Sequence, residues 1–264
     1  MFLAKRCDKK HNIKSGSLLK LGSLYEYRAT EKLQIADREE GIYTFKVKLD
    51  GIVTIDRVWH NTIFPGMVIG DNDCIQFPGQ NSMRMDSYTY VEREGENVTL
   101  QDSSATITRE DHNSFIFCMS HVKEQRDCME LFPDYDDQWF INYKDAHKFG
   151  IAIGTTLLST IDTESRVGNF IIPEEFCNRD LRINFRCDEV TYDLREIHIN
   201  NTTHLLPDEL KSRMKDIAFT KPPIPFKSEK EYRFQYTLHS NGTIVPPSLN
   251  SLLINSEPLQ KFLI

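Results

Sequence analysis

The sequence lacks any run of about 20 apolar residues, so it predicts no membrane-spanning helix. Its first residues, MFLAKRCDKKHN, become charged after a few apolar positions and do not resemble a secretory signal. The six cysteines are scattered, with no CxxC pair and no Cys/His spacing typical of zinc sites. We therefore expect a cytoplasmic protein with reduced thiols, no membrane association and no structural zinc.

Four common catalytic motifs are also missing: GxxxxGK[ST], GxGxxG, HExxH and GxSxG. Their absence argues against a standard P-loop NTPase, a Rossmann dinucleotide-binding domain, a zincin and an α/β-hydrolase. The formal net charge of −7 argues against a broad nucleic-acid-binding surface, although a local basic groove remains compatible with it.

What the chain does have is aromatic residues, 11% of its 264 positions, which favour strands and a packed core. The sequence predicts one α+β domain over residues 1–264, dominated by strands in mixed or antiparallel sheets, with a few helices. Strands are expected at residues 18–28, at 42–49 with a hairpin at Asp50-Gly51, at 114–120, at the end of 145–156, at 181–193, and at 229–240 with a turn at Asn241-Gly242. A helix is expected over residues 206–219, ended by the prolines that follow.

The stretch PFKSEKEYRF, residues 225–234, contains two glutamates one residue apart. In a strand, Glu229, Glu231 and Arg233 share one face. One interpretation is a solvated strand face whose opposite side carries the core aromatics. The other is a catalytic pair, in which one carboxylate stabilises a cationic sugar carbon and the other handles the incoming nucleophile.

Three other groups of residues are candidates for chemistry. His121 with Cys118 or Cys128 would suggest a cysteine nucleophile, but a structural histidine is the commoner explanation. DYDDQW (134–139) would suit a hard metal ion or form an exposed acidic turn, and ADREEG (36–41) reads first as a solvated loop.

Short motifs along the chain resemble a bacterial and phage family of unknown function that is found near abortive-infection and phage-defence genes. They occur in the family's order and span residues 21–234: LGSLYEYRATEKLQIADREEG, FIFCMS, WFINYKDAHKFGIAIG and FKSEKEYRF. The positions that match its hallmarks are Tyr27-Arg28, Asp37, Glu40 and Gly41, Cys118-Met119-Ser120, Trp139, Tyr143 and Gly150, and Glu229, Glu231 and Arg233.

A looser similarity is to ADP-ribosyltransferases, whose site combines an early Arg, a Ser on a middle strand and a late Glu-x-Glu. By this similarity Glu231 would engage the ribose of NAD and favour departure of nicotinamide. Glu229 would position or activate the acceptor, and Ser120 would orient the active-site glutamate. The chain departs from that pattern at Lys230, where Gln or Glu is usual.

The same similarity assigns substrate-binding roles near the start of the chain. Arg28 would hold a phosphate of NAD, which suits a guanidinium group, and Tyr25 or Tyr27 would stack on nicotinamide. Alternatively, Arg28 forms a structural salt bridge with Glu231.

These similarities imply an NAD-consuming, ADP-ribosyltransferase-like effector of a phage-defence or toxin–antitoxin system. NAD would be its substrate, and a protein or nucleic acid would be the acceptor. For such an enzyme we expect Arg28, Ser120 and Glu231 to converge around one cleft. The alternatives are a non-enzymatic nucleotide-signal sensor or a protein-binding antitoxin or inhibitor and, third, a metal-dependent nuclease.

Overall fold

The computed structural model describes residues 1–31, 35–75, 79–177, 179–201, 212 and 216–264. These residues form an α+β structure dominated by strands, as predicted. They divide into two compact units: unit 1 comprises Met1–Glu40, His112–Tyr192 and Lys221–Ile264, and unit 2 comprises Gly41–Asp111 and Asp193–Thr220. Each unit has its own sheet and its own apolar core. The expectation of one domain over residues 1–264 stays a prediction.

In chain order the strands are β1 (Phe2–Cys7), β2 (Leu18–Ser23), β3 (Ile42–Asp56), β4 (Gln80–Glu94), β5 (Asn97–Glu110), β6 (Phe115–Val122), β7 (Asp137–Asn142), β8 (Leu181–Glu189), β9 (Thr191–Tyr192), β10 (Glu196–Asn200), β11 (Thr220–Lys221), β12 (Glu231–Ser240), β13 (Thr243–Val245) and β14 (Ser251–Asn255). The helices of the described residues are α1 (Leu24–Ala29), α2 (Arg57–Ile63), α3 (Ala146–Arg166) and the single turn α4 (Pro223–Phe226). Short 3-10 turns lie at Lys9–His11, Gln125–Cys128, Tyr143–Asp145, Glu174–Phe176, Ile217–Phe219, Lys227–Glu229 and Glu257–Phe262. Among the described residues, no helix combines the length and the apolar character that crossing a membrane requires.

The described residues of unit 1 form an eight-stranded sheet with β12 and β6 near its centre. The path β13-β12-β6-β1-β7 is joined by β8, which pairs with β12, and by β2, which pairs with β6 and β14. Both β6 and β12 were expected as strands, and β12 pairs antiparallel with both β6 and β8. The turn expected at Asn241-Gly242 is confirmed, since it connects β12 to β13. This arrangement gives β12 a hydrogen-bonded neighbour along each edge, and its first four residues, Glu231–Phe234, are buried on both faces.

Helix α3 covers the apolar face of this sheet. Its buried residues recur at helical spacing, and the ring of Phe149 packs edge-on against Phe234 with centroids 5.8 Å apart. The strand expected at the end of residues 145–156 is therefore wrong. A short apolar run fits a buried strand and a buried helix equally well, and here the helix supplies the second layer of the core.

The strand expected over residues 18–28 is correct only as far as Ser23. The hydroxyl of Ser23 accepts a hydrogen bond from the backbone N–H of Glu26 at 3.2 Å, which caps α1. Tyr25, Tyr27 and Arg28 therefore lie on a helical turn and not on a strand.

Unit 2 contains a four-stranded sheet in the order β10-β3-β5-β4. The hairpin expected at Asp50-Gly51 is wrong, because β3 runs through this position and pairs with β5 on both sides of it. Gly51, at φ +72°, supplies a bulge instead of a turn. Strands β4 and β5 form a hairpin around Gly95. The helix expected over residues 206–219 lies mostly outside the described residues. Its last three residues, Ile217–Phe219, are described and form a 3-10 turn.

Candidate functional site

The start of β12 carries charged side chains into the interior of unit 1. Tyr232 and Phe234 point to the apolar core, while Glu231 and Arg233 alternate with them on the opposite face. That face is also buried, since only 5% of Glu231 and 1% of Arg233 is exposed. The interpretation of these residues as a solvated strand face is therefore wrong.

Arg233 holds two carboxylates at once. Its Nε donates to Oε1 of Glu231 at 2.6 Å. Its terminal nitrogens donate to both oxygens of Glu40, at 2.7 and 3.3 Å. Glu40 is fully buried and Asp37 is also buried, whereas Arg38 and Glu39 are exposed, so the ADREEG segment is solvated only in part. Buried ions need such partners, because water no longer stabilises their charge.

Lys221 is the second cation of this group. Its Nζ lies 2.7 Å from Oε2 of Glu231, 3.1 Å from Oε2 of Glu229 and 4.0 Å from Oε2 of Glu40. It also lies 4.6 Å from the ring centroid of Phe226, and only 5% of the residue is exposed. We call Glu40, Lys221, Glu229, Glu231 and Arg233 the charge cluster: three carboxylates and two cations, all in unit 1.

Local geometry explains how Glu229 and Glu231 reach the same ammonium group. Glu229 ends the 3-10 turn Lys227–Glu229, and Lys230 follows in the left-handed region with φ +47°. Strand β12 begins only at Glu231. The two glutamates therefore converge on Lys221 from a turn and a strand, and not from one strand face as the alternation predicted.

The turn that contains Glu40 is tied to α1. The backbone N–H of Asp37 donates to the carbonyl oxygen of Tyr27 at 2.9 Å, and that of Glu40 donates to the carbonyl oxygen of Asp37 at 3.0 Å. Arg28 closes the connection, since its Nε donates to the carbonyl oxygen of Glu40 at 2.6 Å. Helix α1 thereby positions the Glu40 carboxylate toward Arg233.

The environment shifts the pKa values of Glu229 and Glu231 in opposite directions. Burial opposes ionisation of Glu231, but Arg233 and Lys221 outweigh it and hold the pKa of Glu231 well below its ordinary value. For Glu229, burial raises the pKa to about 7; Lys221 opposes this rise, and the negative charge of Glu231 adds to it.

A cavity of about 70 Å³ adjoins the charge cluster within unit 1. We call it the carboxylate cavity. It is lined by Ala4, Lys5, Arg6, Tyr27, Ile35, Cys118, Met119, Ser120, Phe132, Tyr135, Lys221, Glu229 and Glu231. The space exceeds what one ordered water requires, so the cavity has room for part of a ligand beside the two glutamates.

Four of the six residues expected at the site line this cavity: Tyr27, Ser120, Glu229 and Glu231. Ser120 and Glu231 lie opposite each other in the β6–β12 register. Arg28 and Tyr25 do not line the cavity; the guanidinium of Arg28 lies 4.5 Å from the Tyr25 ring centroid, on α1. The cations that contact the Glu231 carboxylate are Arg233 and Lys221, so the expected pairing of Glu231 with Arg28 is replaced by these two.

The described residues support neither a cysteine nucleophile nor a metal-dependent nuclease. Burial raises the pKa of Cys118 to about 12, and burial also raises the pKa of Cys128, so both thiols stay protonated near neutral pH. His121 instead places Nδ1 2.8 Å from Oε1 of Glu189. Among the described residues, no group of three or more His, Cys, Asp or Glu side chains is arranged to hold a metal ion.

Lys221 was not predicted from the sequence, and Glu40 was identified only as part of the ADREEG loop and as a position that matches the family's hallmarks. The sequence signal for Lys221 is weak: one lysine between the apolar run Ile217–Phe219 and a proline-rich turn. Its role depends on contacts with residues up to 181 positions away, as in its approach to Glu40.

Comparisons with protein-family models, with curated proteins and with solved structures find no match to this chain.

Proposed function

We propose that unit 1 catalyses ADP-ribosyl transfer from NAD, as an effector of a phage-defence or toxin–antitoxin system whose acceptor is a macromolecule. One observation carries this proposal: Glu229 and Glu231 share the ammonium group of Lys221, line one cavity, and have pKa values shifted in opposite directions. Pairs of carboxylates separated in this way are typical of acid–base and glycosyl-transfer sites.

Glu231 would act through its permanent negative charge. When the bond between the ribosyl carbon and the nicotinamide nitrogen breaks, its electron pair goes to the nicotinamide ring, and positive charge develops on the ribose. A fixed carboxylate stabilises that charge without having to reorganise. Arg233 and Lys221 keep Glu231 ionised and immobile.

Glu229 would be the general base. With a pKa of about 7, raised by burial, it is substantially ionised at neutral pH and still able to take up a proton. It would accept the proton of the attacking hydroxyl group or water as the new bond to the ribosyl carbon forms. Its side chain is 14% exposed, more than that of Glu231, and so it is the more accessible of the two to an acceptor.

The remaining expected residues receive positioning roles. Tyr27 lines the cavity and offers a ring against which nicotinamide can stack. Ser120 lies beside Glu231 on the neighbouring strand and limits where the ribose can sit. In this proposal Arg28 acts indirectly, because its contact with the Glu40 backbone helps to position the charge cluster.

The test is an NAD-hydrolysis and auto-modification assay on the purified chain. Glu229→Gln and Glu231→Gln are compared with Asp162→Asn, which removes a carboxylate from an exposed ion pair on α3. We expect both cluster variants to lose turnover by about 100-fold or more, while Asp162→Asn keeps wild-type turnover. Circular dichroism identifies any variant that has unfolded. A folded Glu229→Gln with full turnover contradicts the role of Glu229, and a wild-type chain that never consumes NAD contradicts the proposed function.

A second candidate, a nucleotide-signal sensor without turnover, is favoured by one specific observation. Both oxygens of Glu231 are already engaged, one by Arg233 at 2.6 Å and the other by Lys221 at 2.7 Å. A sensor would bind a nucleotide beside this closed cluster and leave it intact. Saturable binding of NAD with no release of nicotinamide would identify a sensor.

A further inference from the structure

A second cavity of about 370 Å³ lies within unit 1, and basic side chains dominate its charged residues. We call it the basic cavity. Its basic and acidic lining residues are Lys5, Arg6, Asp8, Lys10, His11, Lys20 and Glu26. Among these, Glu26 pairs with Lys20.

The basic cavity adjoins the carboxylate cavity. Five residues line both: Lys5, Arg6, Tyr27, Ile35 and Tyr135. A ligand whose sugar lies beside the glutamates therefore has a basic compartment directly next to it.

Lys5 and Arg6 are held by neutral groups. Nζ of Lys5 donates to the carbonyl oxygen of Cys118 at 2.8 Å and lies 4.8 Å from the ring centroid of Phe117. Nε of Arg6 donates to the carbonyl oxygen of Leu131 at 3.2 Å, one terminal nitrogen donates to Oε1 of Gln138 at 3.2 Å, and the other donates to the carbonyl oxygen of Tyr135. Among the described residues, no carboxylate forms an ion pair with either cation.

Such cations favour an anionic ligand. Removing a charge from water without supplying a counter-ion costs free energy, and burial lowers the pKa of Lys5 accordingly. A phosphate group would supply the directly paired negative charge that both cations lack and accept hydrogen bonds from both an ammonium and a guanidinium group.

We propose that the basic cavity binds the diphosphate group of a dinucleotide, with Lys5 and Arg6 as its main contacts and Lys10 at its exposed side. The choice of a diphosphate over a single phosphate rests on the proposed function, since NAD carries a diphosphate next to the reacting ribose. The site differs from the one that similarity assigned to Arg28, which lines neither cavity.

The test is calorimetric titration of the full chain with inorganic pyrophosphate, a probe that needs no catalysis. Lys5→Met keeps an apolar side chain over Phe117 and removes the charge. Lys10→Met also removes a charge, and because Lys10 is exposed we expect this substitution to leave the fold intact. Lys144→Met is the matched control, because Lys144 is an exposed lysine of unit 1 that lines neither cavity.

We expect wild type and Lys144→Met to bind pyrophosphate equally and more tightly than inorganic phosphate. Lys5→Met should weaken binding about tenfold or more, and Lys10→Met should weaken it about threefold. If Lys5→Met does not fold, the comparison of pyrophosphate affinity between Lys10→Met and Lys144→Met tests the proposal. The proposal is overturned if wild type shows no saturable binding at millimolar pyrophosphate, or if the cavity variants bind like Lys144→Met.

The two proposals fail separately. If pyrophosphate binding depends on Lys5 but the wild-type chain consumes no NAD, the anion site stands and the enzymatic function fails. If NAD is consumed but pyrophosphate binding does not depend on Lys5 or Lys10, the anion site fails and the enzymatic function stands.

Discussion

Glu40 and Arg233 lie 193 positions apart in the chain and meet through two hydrogen bonds, at 2.7 and 3.3 Å. Only 1% of Arg233 is exposed, and Glu40 is fully buried. The pair joins the turn after α1 to the strand β12. Because water does not reach either ion, each is stabilised by buried partners of opposite charge, and each is such a partner for the other.

Replacing Glu40 should therefore destabilise the protein strongly. Glu40→Gln leaves Arg233 with one carboxylate in place of two, and loss of a partner from a buried pair costs about 3–5 kcal/mol. Asp162→Asn, which breaks an exposed pair with Arg166, should cost no more than about 0.5 kcal/mol. Urea unfolding measures both free energies. A Glu40→Gln variant within about 1 kcal/mol of wild type would show that the pair contributes little.

NAD turnover should depend on pH through Glu229. A general base works only when ionised, and burial raises the pKa of Glu229 to about 7. We expect kcat/KM to be low at acidic pH, to rise as the pH passes through about 7, and then to level off. The measurement is a pH–rate profile of the wild-type chain. A profile that is flat between pH 5 and pH 9, or that falls over this range, contradicts the role of Glu229 as base.

Glu229 should also lower the stability of the fold at alkaline pH. The pKa of Glu229 is raised by burial to about 7 in the folded chain, whereas an unfolded glutamate titrates near about 4.3. Protonated Glu229 therefore stabilises the fold fully below about pH 4.3, the pKa of glutamate in the unfolded chain. This stabilisation is lost as the pH rises through about 7, the pKa of Glu229 in the folded chain. Glu229→Gln keeps a hydrogen-bond acceptor for Lys221 and removes the charge.

We therefore expect Glu229→Gln to gain stability relative to wild type at pH 8 compared with pH 5. Urea midpoints at the two pH values provide the comparison, and Asp162→Asn should show no such change. An equal difference between Glu229→Gln and wild type at both pH values would mean that Glu229 ionises normally in the folded chain.

Two glycines of α3 should respond oppositely to alanine. A methyl group at Gly150 would collide with the Phe185 ring and lie 2.9 Å from Cδ1 of Phe234, whereas at Gly154 its nearest neighbour is the Tyr236 ring at 3.4 Å. We expect Gly150→Ala to destabilise by about 1–3 kcal/mol through overpacking. Gly154→Ala should be neutral or stabilising by up to about 1 kcal/mol, because alanine favours helices. Thermal unfolding distinguishes them, and equal midpoints would contradict the packing of α3.

The elements that could be predicted from the sequence are those specified by local pattern. The alternation in β12 and the apolar run of β6 identify both strands, because residues two positions apart in a strand share one face. Helix α3 was not predicted, since the choice between helix and strand for its first residues depends on packing against Phe185 and Phe234. The end of β2 was missed because Ser23 acts as a helix cap, an effect that depends on the backbone conformation and not on residue type alone.

In the candidate site, too, features set by local pattern were predictable and features that depend on long-range contacts were not. The strands that carry Ser120 and Glu231 were predictable from local pattern, although their pairing depends on long-range contacts that no local pattern specifies. Lys221 was not, because nothing in its local sequence indicates which carboxylates it meets. Arg28 was assigned to a ligand on chain order alone, and chain order carries no information about which side chains share a cavity.

The central position of β12 has a consequence for synthesis on the ribosome. Strand β6 ends at Val122 and β12 begins at Glu231, so β6 emerges roughly 110 residues earlier, a delay of roughly 5–20 seconds at ordinary translation rates. Throughout that interval the nascent chain has an unpaired edge on β6, and Glu40 is without Arg233. Exposed strand edges favour aggregation, so unit 1 is most exposed to misassembly before its central strand has been translated.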